Sequence, residues 1–353
     1  MESTFSKLGG SLVVPNVQEL AKEKSTTVPK RYVRFEENDS ILSNVSSSSS
    51  EVPVIDMLKL DGDSLEEFGK LHDACRQWGF FQLINHGVGS QVVENMKLEI
   101  QEFFHMPIEE KKKFNQEDGD VEGYGQAFVV SEDQKLDWAD MFYIITSLTY
   151  LRKNHLIPKL PHKFRDAIEA YSEDLKTLAM KILRLMARVL KMKEEDMNIL
   201  FEEGMQSMRM NYYPPCPQPD LVTGLCPHSD AVGLAILIQV NKIEGLHVKK
   251  DGVWIPVVPL PDAFVVNIGD ILEIVTNGAY RSTEHRTVVN KEQERLSVVT
   301  FLSPKMEGYL GPAPRLVTAE TPAKFKRIGV SDYFKGLFAR ELVGKSYLDS
   351  MRT

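Results

Sequence analysis

The chain has 353 residues, 42% of them hydrophobic and 26% charged, which is ordinary for a globular protein and enough to bury a core without staples. Its 42 basic and 50 acidic side chains leave a net charge of −8, which argues against a general nucleic-acid binder with a basic surface. Cys75, Cys216 and Cys226 are too few and scattered for a disulfide framework or a cysteine-rich zinc site. No apolar run approaches the roughly 18 residues of a membrane span, and no targeting segment is visible, so a reduced cytoplasmic setting is expected.

In chain order, residues 1–50 form an N-terminal arm. Its end, Glu36 to Glu51, is polar and serine-rich and reads as a flexible surface connection. Val52 to Asp56 is a short strand signal. Ser64-Leu65-Glu66-Glu67 reads as a capping box, opening a helix with Leu65, Phe68, Leu71, Ala74 and Cys75 on one face and Gly79 at its end. Phe80 to Asn85 is strand-like, His86-Gly87 a turn, and a helix from Ser90 to about His105 is stopped by Pro107. The clearest helix lies between Phe164 and Leu190, with Phe164, Ile168, Tyr171, Leu175, Leu178, Ile182, Leu185 and Val189 recurring at helical spacing. A coiled-coil or partner-binding face would show this pattern, but one stripe laid on the core is the preferred reading.

From Gln206 to Phe301 strand patterns and short turns dominate. Leu234–Val240, Leu246–Val248, Trp254–Val257, Ala263–Ile268 and Leu296–Phe301 are predicted strands, with glycines at or near the bends. Many short strands of similar spacing suggest a sandwich or jelly-roll barrel. After Pro304, Val330-Ser331-Asp332 opens a helical tail running from Tyr333 to about Leu342. The expected organisation is a helical N-terminal region at 51–203, a β core at 204–304 and a helical C-terminal tail at 305–353, all in one body.

His228-Ser229-Asp230 places an imidazole and a carboxylate two residues apart. In a strand these share a face, about 6–7 Å apart at the backbone, with Ser229 pointing away. His285, 57 residues on, is the best third ligand. Two imidazoles and one carboxylate leave positions open, as in non-haem iron oxygenases. Zinc accepts the same set, so spacing alone does not name the metal. Arg295 and Ser297 share a strand face ten residues later, a pair suited to clamp the far carboxylate of a diacid. Tyr213 is placed to add a phenol to that group.

These segments resemble the plant soluble 2-oxoglutarate- and Fe(II)-dependent dioxygenases. The likeness runs through Val52–Asp56, Trp78–Gly87, Met210–Pro217, Pro227–Asp230, Asn267–Asp270, Asn277–Tyr280, His285-Arg286 and Glu294–Ser297. Glu117–Gly125, Leu136–Asp140 and Gly344–Arg352 bring it closest to the senescence-related group that includes thebaine and codeine O-demethylases. The resemblance implies a mainly β fold with α, a cupin-like, jelly-roll double-stranded β-helix wrapped by N- and C-terminal helices. It implies catalytic iron on His228, Asp230 and His285. It implies 2-oxoglutarate on Arg295, Ser297, Asn211 and Tyr213, dioxygen as oxidant, and ascorbate as a supporting reductant. Phe301, Arg209, Met141 and Tyr143 are implied to approach the organic substrate.

The expected reaction splits 2-oxoglutarate to succinate and CO2 while a small aromatic specialised metabolite, an alkaloid or phenolic, is hydroxylated or O-demethylated. The expected partner is that small molecule alone, with no nucleic acid or membrane, acting on a monomer. Many relatives have Thr where this chain has Ser229, and Thr where it has Ala235, a loss that would open the pocket wall. Three alternatives stay open: ring hydroxylation or desaturation of a flavonoid or hormone-like substrate on the same iron, zinc hydrolysis, which leaves Arg295 and Ser297 unexplained, and a non-catalytic cupin-like binding protein.

Overall fold

Alternation along the predicted strands builds two main sheets, beside a small two-stranded one, in the computed structural model, which describes residues 11–23, 26–34, 51–117, 120–148, 152–153 and 155–353. Most of the serine-rich stretch, residues 35–50, and residues 118–119 of the Glu117–Gly125 motif lie outside the described residues. The strands are β1 Val54–Asp56, β2 Phe80–Ile84, β3 Gly123–Gly125, β4 Asp140–Ile145, β5 Gln206–Tyr213, β6 Leu225–His228, β7 Leu234–Gln239, β8 Leu246–Lys250, β9 Val253–Pro256, β10 Phe264–Ile268, β11 His285–Thr287 and β12 Arg295–Leu302. The large sheet has the order β1-β2-β10-β7-β12-β5-β4-β3, and the small one β6-β11-β8-β9. The large sheet takes four strands from upstream of residue 204, so the N-terminal region and the β core share one sheet.

The register of β5 and β12 decides what the barrel interior contains. Tyr213 lies opposite Arg295, Asn211 opposite Ser297, Arg209 opposite Val299 and Ser207 opposite Phe301. Side chains alternate along a strand, so all eight of these face the same way. Each of them lines an interior cavity. The intervening Met208, Met210, Tyr212, Leu296, Val298 and Leu302 face the main apolar core.

That core is closed by the helix His162–Val189. Phe164, Ile168, Tyr171, Leu175, Leu178 and Ile182 are buried in it, with Leu185 and Val189 packed partly buried against it. The stripe therefore faces this protein's own core, each fully buried large side chain contributing about 1.5–3 kcal/mol. Among the described residues no helix is long and apolar enough to cross a membrane.

Local signals held in part. The Ser64 hydroxyl caps the helix Leu65–Asp73 by accepting from Glu67 N at 3.3 Å, but Glu67 does not complete a capping box. Its buried carboxylate instead accepts from Asp56 N at 2.7 Å and ties the helix to β1. Gly79 ends the following turn at φ +65°, where a Cβ would sit 2.2 Å from Arg281 O. The C-terminal helix is Val330–Phe338, shorter than expected. Beyond it the chain returns along β6, the edge of the small sheet. Gly344 N donates to Pro227 O at 2.9 Å, and Gly344 O accepts from Ser229 N at 3.1 Å. Covering an exposed edge satisfies groups that continued helix would leave unpaired.

Candidate active site

Pairing of β6 with β11 sets His228 directly opposite His285, with ring centroids 4.2 Å apart. The Nδ1 atoms face main-chain carbonyls, His228 that of Cys226 at 2.7 Å and His285 that of Thr283 at 3.2 Å. Such contacts fix the tautomer and leave both Nε2 atoms free as ligands. Asp230 lies beyond the end of β6, so strand alternation does not orient it as the sequence pattern suggested. Its Oδ1 is 3.6 Å from His228 Nε2, and its Oδ2 is 3.7 Å from His285 Nε2. Ser229 is buried, and its hydroxyl donates to Asp270 Oδ2 at 3.0 Å.

One ligand atom from each of His228, Asp230 and His285 lies within 4.8 Å of the others, the only such cluster among the described residues. Burial works against charge on Asp230, but the His285 and His228 rings and a 2.8 Å hydrogen bond from Asn267 outweigh it and hold the carboxyl well below its usual range. Burial, reinforced by the His228 ring and opposed by Asp230, brings His285 down to about 4. At pH 7 the cluster therefore offers a carboxylate and a neutral His285 imidazole. These donors suit a divalent iron that keeps positions open for other ligands.

Arg295 is 1% exposed and no carboxylate among the described residues pairs with it. Nη1 donates to Ser297 Oγ and Nη2 to Gln239 Oε1, both over a long 3.4 Å, while the buried Nε has no partner. The guanidinium lies 5.2 Å above the Tyr213 ring. Burial works against its charge, yet arginine stays protonated in proteins. A buried cation without a counter-ion is expensive, so an anion is the missing partner. The fit to the distal carboxylate of a 2-oxo diacid is direct.

Two cavities meet at this cluster. The first is lined by Asn211, Tyr213, Arg295 and Ser297 together with His228, Asp230 and His285. Asn211 Oδ1 accepts from Arg209 Nε at 2.8 Å, and Tyr213 Oη accepts from Thr287 Oγ1 at 3.4 Å. The second is mostly apolar, and Met141, Tyr143, Arg209 and Phe301 all line it beside His228 and Asp230. Arg209 and Phe301 border both cavities. Burial pushes the Tyr143 phenol up to about 12, so it stays protonated. Ala235 is buried directly opposite Phe301 and Asn267, two residues that line the first cavity. Sequence reasoning missed Gln239 and Asn267 beside the cluster, and the roof of Phe128, Phe334, Leu337, Phe338 and Leu342 over the apolar cavity. Asn267 had a signal, since it opens the Asn267–Asp270 motif.

Comparison with known proteins agrees with this geometry. Residues 204–304 match the 2OG-Fe(II) oxygenase superfamily, and residues 52–163 match the non-haem dioxygenase in morphine synthesis N-terminal family. The chain is 62% identical over 347 residues to "Oxoglutarate-dependent flavonoid 7-O-demethylase 1" of Ocimum basilicum, spanning 98% of this chain and 92% of that one. It is 50% identical to "Codeine O-demethylase" of Papaver somniferum over 98% of both chains. A crystal structure of JOX2 in complex with 2OG, Fe and JA superposes with a TM-score of 0.87 at 33% identity, over 96% of this chain and 98% of that one. With the jelly-roll fold, the two-histidine, one-carboxylate cluster and a buried arginine without a carboxylate partner in place, the chain belongs to the 2OG-Fe(II) oxygenase superfamily and is an oxygenase dependent on iron and 2-oxoglutarate.

Proposed function

We propose that this enzyme removes an O-methyl group from a small methoxylated phenolic, flavonoid-like in size and shape. His228, Asp230 and His285 hold the iron. Arg295 and Ser297 hold the distal carboxylate of 2-oxoglutarate, with Asn211 and Tyr213 completing that cavity. The bound iron and 2-oxoglutarate supply oxidation of a substrate C–H bond by dioxygen, releasing succinate and CO2. If that bond belongs to an aryl methyl ether, the hydroxylated carbon leaves as formaldehyde and the aryl oxygen keeps a proton. The chain's part is to orient the ether carbon toward His228 and Asp230 and to exclude water. Phe301 and Met141 provide an apolar wall, and Tyr143 and Arg209 provide donors.

The observation that carries this reading is the apolar cavity opening onto the metal cluster, in a chain 62% identical to a named flavonoid O-demethylase. Its lining also favours a neutral phenolic over an alkaloid amine. The charged side chains lining it are Arg209 and Asp230, and Asp230 is committed to the metal. A protonated amine would therefore meet the Arg209 cation with no free carboxylate in the lining, whereas a phenol or ketone oxygen would accept from Arg209. Three buried free thiols suit the reducing cytoplasm.

The test is to supply purified enzyme with Fe(II), ascorbate, 2-oxoglutarate and a panel of methoxyflavones and methoxylated alkaloids. Formaldehyde should appear in step with succinate, with flavones preferred. Products gaining one oxygen without formaldehyde would mean ring hydroxylation and replace this reading.

A further inference from the structure

Three contacts from one short segment converge on Ser229 and Asp230, and iron binding itself assigns them no role. The segment is Asn267–Asp270, where β10 gives way to the helix Asp270–Val275. Asn267 Nδ2 donates to Asp230 Oδ2 at 2.8 Å. Asp270 N donates to the Asp230 main-chain oxygen at 2.8 Å. The Asp270 carboxylate accepts from the Ser229 hydroxyl at 3.0 Å. Ser229, Asn267 and Asp270 are all at least 96% buried. Gly269 makes the approach possible: its N–H donates to Gly233 O at 2.9 Å, and a Cβ there would sit 2.1 Å from Val232 O.

The need for such support follows from the topology. His228 and His285 are fixed by a strand ladder and by hydrogen bonds to carbonyls. Asp230 lies past the end of β6, where no ladder holds it. A carboxylate on a free turn rotates about its side-chain bonds and pays that freedom back when it binds an ion. We propose that the Asn267–Asp270 segment is a cradle that sets the aim of the Asp230 carboxylate, with Asn267 as its principal positioning residue. The Asn267 amide engages one carboxylate oxygen and fixes the plane of the group. The Asp270 amide and the Ser229–Asp270 bond fix the backbone that carries it.

The proposal rests on Asp230 being a metal ligand, and the test separates the two. Apo enzyme is titrated anaerobically with Co(II) alone, and binding is read from the visible absorption of the bound ion. Asn267→Leu should weaken binding by about 10- to 100-fold, the usual range for losing such a supporting contact. Val266→Ala, next door but facing the main core, removes packing without touching Asp230 and should bind as the parent does. If Asn267→Leu does not fold, Ser229→Ala carries the test by deleting one hydroxyl, with an expected loss of about fivefold. Parent-like affinity in the folded Asn267→Leu, or an equal loss in Val266→Ala, overturns the cradle. Parent-like affinity in His228→Ala instead overturns the metal assignment itself.

Discussion

Arg295 shows what a single buried side chain demands. The residue is 1% exposed, its Nε is without a partner, and its hydrogen bonds to Ser297 and Gln239 are stretched to 3.4 Å. If it clamps the 2-oxoglutarate carboxylate, Arg295→Ala removes one side of a buried charge pair, a loss of at least about 2 kcal/mol. The Michaelis constant for 2-oxoglutarate should rise at least about 30-fold, read from succinate formation at varied co-substrate. Arg295→Lys should fall between, keeping the charge but losing the two-pronged fork. An unchanged constant in the alanine variant would remove Arg295 from the co-substrate site. The ligands make an independent prediction: His228→Ala and Asp230→Ala should stop succinate formation while the circular dichroism spectrum is kept, and turnover in either would refute the iron site. These residues were legible because short spacings, His-x-Asp and Arg-x-Ser, bring their side chains together locally. Gln239 was not, because only the order of strands in the large sheet carries it to Arg295, and Asn267 was marked only by its motif until the pairing of β10 with β7 set it beside Asp230.

Elements differed in legibility for physical reasons. The strands β7, β10 and β12 carry near-continuous apolar runs and could be read directly. Strand β5 hid because its polar members, Ser207, Arg209 and Asn211, face the interior while Met208 and Met210 face the core, so polarity does not mark its solvent side. The helix Asp270–Val275 is buried at every position and shows no 3.6-residue period. Strand β4, which presents Met141 and Tyr143 to the apolar cavity, is held at its far end by Glu122. One carboxylate oxygen of Glu122 accepts from Ile145 N at 2.7 Å, and the other is buried without a partner. Burial raises this carboxyl from 4.5 to about 7. The folded protein then holds a proton that the unfolded chain releases near pH 4.5. Its contribution to stability is intact below pH 4.5, declines as pH rises and is lost above about 7. Glu122→Gln removes the titration, so its stability relative to the parent should climb across that window by up to ~3 kcal/mol. Melting temperatures of both proteins at stepped pH give the comparison, and a constant difference would show that Glu122 does not titrate there.

At the scale of the whole molecule, the last residues of the chain complete a site whose ligands lie far upstream. Phe334, Leu337, Phe338 and Leu342 roof the apolar cavity, and Gly344 bridges to Pro227 and Ser229 beside the metal cluster. The tail is anchored through Glu273, whose side chain is only 6% exposed. Its carboxylate accepts from Ser282 N at 2.7 Å, Lys345 Nζ at 2.8 Å and Arg352 Nη2 at 3.0 Å. Lys345 Nζ also donates to Ser282 O at 2.7 Å, so the buried helix, the approach to β11 and the tail share one knot. Glu273→Gln keeps the volume but weakens two charge-assisted bonds, a loss of about 1–3 kcal/mol. The loss should be local, because strands β5, β7, β10 and β12 hold each other through their own ladders. Hydrogen exchange should accelerate across residues 339–353 and at Ser229, the amide bonded to Gly344, while amides of β5 and β12 keep the parent's protection. With the roof loosened, the Michaelis constant for the organic substrate should rise more than that for 2-oxoglutarate, whose cavity the tail does not line. Parent-like exchange in the tail would mean that its apolar packing alone, through Tyr347 and Leu348, holds the roof in place.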